Sequence, residues 1–268
     1  GYKIKQRNNA QLKHQANLIT RKNNALEKQK KKIELINTRI TDSLNYAQRI
    51  QQALLPVDET LTNLFKEHFV VFMPLDVVSG DFYWVASKND KLMFVTADCT
   101  GHGVPGALMS MLGISFLNEL AQRNDMTSAA DYLNKLRELV IKSLKQKGNY
   151  REIKDGISLS FCIYDKKNSM LQFSGAQSTI IVANQNTVNK EYSVETYKGD
   201  NMPIGYYQIK EPFKNHLIPT HSLDTLYLFT DGFIDQFGGS KGRRFKKQTF
   251  LSLIEANIDK PLSAQKEI

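Results

Sequence analysis

Three aspartates in this sequence each stand at the edge of an apolar run and close to glycine. Asp81 follows Gly80, Asp98 comes three residues before Gly101, and Asp231 precedes Gly232. Asp98 ends the run 92–97, which has the length and the β-branched and aromatic content of a strand. Pro105 and the apolar run 107–117 then read as the start of a helix, with proline in its first turn. Between them Gly101, Gly103 and Gly106 let the backbone approach closely and leave carbonyls uncrowded. A carboxylate facing such a turn suits a hard cation held through oxygen. A strand-to-helix turn with a capping aspartate is the plainer reading of the same residues. Asp81 opens a second strand, Asp81-Phe-Tyr-Trp-Val, and Lys88-Asn-Asp-Lys reads as the hairpin turn into residue 92. The start of one hairpin strand lies beside the end of the next, so Asp81 and Asp98 are expected to converge.

The elements around these acids follow from apolar spacing. Leu12, Ile19, Leu26, Ile33, Ile40, Ala47 and Leu54 recur every seven residues, with no proline before Pro56. That is one seam of a heptad repeat, and it predicts a long coiled-coil-like helix over 1–56. The companion seam is poor at Gln15, Lys22 and Gln29, so the coil is weakly specified toward its N-terminus. It reads either as a signal-transmitting linker that dimerises or as a helix packed on its own domain. Residues 57–68 read as a short helix or loop, and 69–73 as a strand. Residues 131–147 have the spacing of an amphipathic helix that Gly148-Asn149 breaks. Residues 157–164, 170–173 and 179–183 read as strands, and 225–229 as the strand that delivers Thr230-Asp231-Gly232. The Gly-rich, basic stretch from Gly238 to Arg244 follows, then a helix over 248–258.

Composition narrows the classes. Of 268 residues, 41% are hydrophobic, enough for a packed core. Cys99 and Cys162 make neither a disulfide framework nor a CxxC pair, which suits a reducing, cytoplasmic setting. The sequence shows no signal peptide and no run of about eighteen apolar residues. Residues 1–55 hold twelve Lys or Arg against three acids, the whole formal charge of +9, and the remainder is neutral. Only Tyr2 and Tyr46, near its two ends, are aromatic in that segment, so a solvated helix face is favoured over nucleic-acid binding.

Ser79-Gly-Asp-Phe-Tyr, Asp98-Cys-Thr-Gly-His-Gly and Leu228-Phe-Thr-Asp-Gly occur in this order at domain-scale spacing. From about residue 45 the chain resembles the metal-dependent serine/threonine protein phosphatases of type 2C, in their bacterial SpoIIE-like branch. Asn45-Tyr-Ala-Gln-Arg-Ile-Gln-Gln-Ala-Leu-Leu-Pro looks like the helix that leads into such domains. The resemblance implies an α+β fold: a four-layer α-β-β-α sandwich of two antiparallel sheets flanked by helices, here preceded by the long helix. It also implies two Mn²⁺ or Mg²⁺ ions at one edge of the sandwich. By motif, Asp98 matches the carboxylate bridging both ions, the Cys99 carbonyl a further ligand, and Asp81 and Asp231 two more acids. Asp155, in Lys154-Asp-Gly-Ile-Ser, resembles an acid associated with an optional third ion, although an Asp-Gly turn explains it equally well.

The implied function is hydrolysis of phosphoserine or phosphothreonine on a regulatory protein, such as an anti-sigma-factor antagonist, by a metal-activated water. No side-chain nucleophile is needed, and Cys99 lacks the loop that would cradle a phosphate for a thiolate. His102 is a general acid or, by hydrogen bonding, an organiser of the glycine turn. The expected organisation is a helical linker over 1–56 and a phosphatase domain over 57–268, joined to an upstream sensor and dimeric through the helix. It would be cytoplasmic or tethered to a membrane through upstream domains. The resemblance also calls for an Asp-Asp pair before a last strand. The sequence reaches Ile268 without it, so a C-terminally truncated domain with weakened metal affinity is expected. The alternative is a catalytically weak phosphatase-fold module that binds a partner and is regulated through its coil.

Overall fold

A computed structural model describes residues 1–148, 155–185, 192–208, 211–220, 225–238 and 242–268, apart from the side chains of Lys3, Ala10 and Gln185. Asn149, Lys154, Gly239 and Lys241, which figure in the sequence reading, lie outside the described residues. The chain divides into two compact units, 1–49 and 50–268. Helix α1 (Tyr2–Leu54) runs through the first unit and ends in the second. In the first unit the heptad seam faces solvent, with Leu12, Ile19, Leu26, Ile33 and Ile40 all more than half exposed.

In the second unit α2 (Asp58–Leu64) is followed by β1 (Phe82–Lys88) and β2 (Lys91–Cys99). Asn89 and Asp90 between them have φ of 49° and 62°. Positive φ at both central residues is what a tight type I′ hairpin turn demands. Then come α3 (Gly103–Gln122), α4 (Ala129–Ser143), β3 (Ile157–Asp165), β4 (Met170–Ala176), β5 (Thr179–Gln185), β6 (Tyr192–Lys198), β7 (His216–Pro219) and β8 (Thr225–Leu228). After these follow α5 (Asp231–Ile234), β9 (Phe237–Gly238), β10 (Arg243–Arg244), α6 (Lys247–Glu255) and α7 (Leu262–Lys266). The strands form antiparallel sheets in the orders β1-β2-β3-β4-β7 and β6-β5-β8, with β9–β10 a separate small hairpin.

Strand periodicity separates the layers. In β3 the odd residues Ile157, Leu159, Phe161 and Ile163 join Phe82, Trp84, Val95 and the buried faces of α3 and α4. The alternate residue Cys162 lies instead with Leu171, Phe173, Ile180 and Val182, between the sheets. In β5, Ile181 and Ala183 turn outward to Tyr227 and to Ile254 of α6. Successive side chains of a strand point to opposite faces, so each sheet is sandwiched on both sides. The result is the helix–sheet–sheet–helix arrangement expected. Ser128 and Asp131 form a reciprocal capping box at the start of α4. Lys88 Nζ caps α3 by donating to the carbonyls of Ala121, Gln122 and Arg123.

One expectation fails. Residues 69–73 form no strand: Phe72 packs edge-on against Tyr83 at 5.8 Å, while Val71 and Met73 stay exposed. An apolar run of five can cover a core end through one side chain without joining a ladder. By length and mean hydropathy α3 is apolar enough to cross a membrane, although polar residues interrupt it. Ile114, Leu117 and Leu120 on it are fully buried in the core beneath the first sheet.

Candidate metal centre

The hairpin register Phe82↔Ala97 carries one step further to set Asp81 against Asp98 at the open end of the β1–β2 ladder. Asp98 in turn stands opposite Ser158 on β3. Asp231 arrives from the other sheet, just past β8, as the first residue of α5. Thr230, at the N-cap position, donates from Oγ1 to Asp81 Oδ2 at 2.6 Å, which ties the two approaches together. The Asp98 carboxyl lies close enough to Asp81 and Asp231 for both to act on its protonation. The structure therefore brings Asp81, Asp98 and Asp231 to one point.

Glycines make this approach possible. A Cβ on Gly80 would lie 2.8 Å from the Gly101 carbonyl oxygen and 3.1 Å from that of Cys99, and one on Gly106 would lie 2.3 Å from the Gly101 oxygen. Gly101 itself has φ of 89°, where a side chain is strained. The segment before Asp81, the loop after Asp98 and the first turns of α3 thus touch backbone to backbone. His102 Nδ1 lies 3.0 Å from Asp76 Oδ2 and is largely exposed, an arrangement that orders the glycine turn.

Burial, with the crowding of acids added to it, sets the electrostatics. Asp98 is pushed up to about 8, first by burial and then by the charge and hydrogen bond of Asp81, with Asp231 adding to both. Asp231 is also raised, by partial burial and the charges of Asp235 and Asp81, while its hydrogen bond with Asp98 and the nearby Arg244 oppose the rise. The Cys99 thiol is buried and pushed well up by desolvation and then by Asp98, Asp81 and Asp155, which leaves it inert as a nucleophile. Asp155 stands just before β3 and outside the trio. Its carbonyl accepts from Gln146 Nε2 at 2.6 Å.

Among the described residues no group of three or more His, Cys, Asp or Glu stands arranged to hold a metal ion. Asp81 accepts from Thr230 there. The donor set nonetheless fits a hard divalent cation: it is all oxygen, with neither imidazole nor thiolate. Protons shared among crowded carboxylates are what a cation would displace.

Sequence reasoning missed Gln51. It is 3% exposed, donates from Nε2 to the Ser79 carbonyl at 2.6 Å and to Ser110 Oγ at 2.8 Å, and accepts from Ser79 N–H at 3.0 Å. The last turn of α1 thereby grips the backbone two residues before Asp81. Thr230 was in view within Phe-Thr-Asp-Gly, but nothing in a linear motif says that its hydroxyl reaches Asp81.

Comparison with known proteins identifies the family of the fold. Residues 88–267 match the model of the family described as Stage II sporulation protein E (SpoIIE). Among solved structures, the SiaA-PP2C domain of Pseudomonas aeruginosa is 30% identical, with a TM-score of 0.75 over 86% of this chain and 87% of that one. The PP2C phosphatase domain of SpoIIE from Bacillus subtilis, with a fragment of its regulatory domain, is 17% identical, with a TM-score of 0.49 over 59% of this chain and 43% of that one. No curated protein sequence matches. With its family match spanning most of a PP2C-type phosphatase fold, the chain belongs to the SpoIIE family.

Proposed function

We propose that this chain is a metal-dependent protein serine/threonine phosphatase, the output module of a bacterial signalling protein. The observation that carries the reading is the convergence of Asp81, Asp98 and Asp231 from two sheets onto one point. Asp98, Asp81, Asp231 and the Cys99 carbonyl would hold two Mn²⁺ or Mg²⁺ ions, and Asp155 would serve a third. Bound cations of this kind lower the pKa of water and offset phosphoryl charge. Asp98 would hold the cations as a carboxylate, and Thr230 fixes Asp81 by occupying one of its oxygens. The buried thiols of Cys99 and Cys162 take no part. The substrate is a phosphorylated regulatory protein of the anti-sigma-factor-antagonist kind. The test is phosphate release from a phosphoserine peptide. Turnover with Mn²⁺ that stops in EDTA is expected, and no turnover at saturating Mn²⁺ would overturn the reading.

The exposed heptad seam supports dimerisation through residues 1–56, with 57–268 as the phosphatase domain. Ile33 and Ile40 are 57% and 53% exposed, an apolar stripe left to solvent on a basic helix. Ile33→Asp combined with Ile40→Asp is expected to halve the mass measured by light scattering. Unchanged mass would refute a coil dimer.

A further inference from the structure

We propose that the Phe237–Arg244 face of the β9–β10 hairpin is a docking surface for the phosphoprotein substrate, taking an apolar and an acidic side chain beside the phosphoserine. The inference rests on the phosphatase reading above. The hairpin is fastened to the element that carries Asp231. Asp235 N–H donates to the Asp231 carbonyl at 2.8 Å, Gln236 Nε2 to the Gly232 carbonyl at 2.7 Å, and Lys246 N–H to the Ile234 carbonyl at 2.7 Å. Its underside is already used: Phe233 packs edge-on against Phe245 at 5.8 Å and Phe250 at 4.9 Å. Phe237 is different. It is 75% exposed and has no ring partner among the described residues, so it forfeits the free energy its burial would supply.

The register places Arg244 opposite Phe237, on the same face of the hairpin. Arg244 spends Nε and Nη2 on Asp235, which fixes the guanidinium and leaves Nη1 without a described partner. Lys246 and Lys247 follow in sequence, and Arg243 projects from the opposite face of the hairpin. The chain beyond residue 55 is neutral overall, so four cations within the five residues 243–247 are a local concentration. An aromatic anchor beside a fixed guanidinium fits an acidic, apolar strip, and its place beside Asp231 fits the segment that carries the phosphate.

The experiment compares the full 268-residue chain and its Phe237→Ala variant on three probes with Mn²⁺: p-nitrophenyl phosphate, a phosphoserine peptide flanked by Leu and Glu, and one flanked by Lys and Ala. The wild type is expected to favour the Leu/Glu peptide at least tenfold in kcat/KM. Phe237→Ala should lose about tenfold on that peptide through KM, keep p-nitrophenyl phosphate turnover within twofold, and be rescued by Phe237→Leu. Equal rates on the two peptides, or a parallel loss on p-nitrophenyl phosphate, would overturn the docking surface alone. Failure of the wild type on all three probes would overturn the phosphatase reading and the docking surface with it.

Discussion

Asp98→Asn is expected to abolish Mn²⁺-dependent hydrolysis, by about 10³-fold or more, and at the same time to stabilise the metal-free protein at pH 8. The two effects share one cause. Asp98 is buried and then crowded by Asp81 and Asp231, and in the folded state its carboxyl is raised from the usual 3.8 to about 8. The folded form therefore holds a proton that the unfolded chain releases more readily. Stability from this group is fully present below pH 4 and is lost as pH rises toward 8. Asparagine has no proton to lose, so its contribution is flat across that window. In EDTA the wild-type Tm should fall between pH 5 and 8 and the variant's should not. At pH 8 the gap should be roughly 1–3 kcal/mol after solvent screening, or about 2–4 °C per kcal/mol for a domain of this size. Mn²⁺ should restore the wild type and leave the variant unmoved. A wild-type Tm in EDTA that stays level from pH 5 to 8 would remove the electrostatic argument.

The approach of Asp81 to Asp98 was legible in the sequence because a two-residue turn fixes every pair along a hairpin. Asn89-Asp90 sets the register, and the register sets the acids opposite each other. The sandwich layers were legible for a similar reason, since strands buried on both faces read as continuous apolar runs. Other features were not. β6 is an edge strand with mostly exposed residues, and β7 has only four. Neither carries the apolar alternation that marks a strand. The run 69–73 carries the composition of a strand without a partner, and composition cannot reveal whether a backbone ladder exists. Thr230 and Asp81 are 149 residues apart, and Gln51 and Ser110 are 59 apart. Contacts at such separations follow from the packed fold and leave no local trace.

Gln51 is where that non-local information has its largest expected consequence. Its amide meets both the N–H and the carbonyl of Ser79 and also the Ser110 hydroxyl, all in the buried interior. Gln51→Ala strands the Ser79 N–H, while the Ser79 carbonyl keeps only the Ser110 hydroxyl at 3.3 Å, a proton that the Ala107 carbonyl also accepts at 2.9 Å. Leaving the buried N–H unpaired should cost about 1–3 kcal/mol. Ser79 is followed directly by Gly80, which lies against Gly101 and Gly106, and then by Asp81. A loosened Ser79 therefore loosens Asp81, and the Mn²⁺ concentration for half-maximal activity should rise about tenfold. A purely structural glutamine would lower Tm and leave that concentration unchanged, an outcome that would refute its positioning role. Gln51→Glu sharpens the test. Glutamate still accepts from Ser79 N–H, but it cannot donate to the Ser79 carbonyl and sets a carboxylate oxygen against it. If donation to that carbonyl is what holds Asp81 in place, glutamate should fail as badly as alanine despite filling the same space.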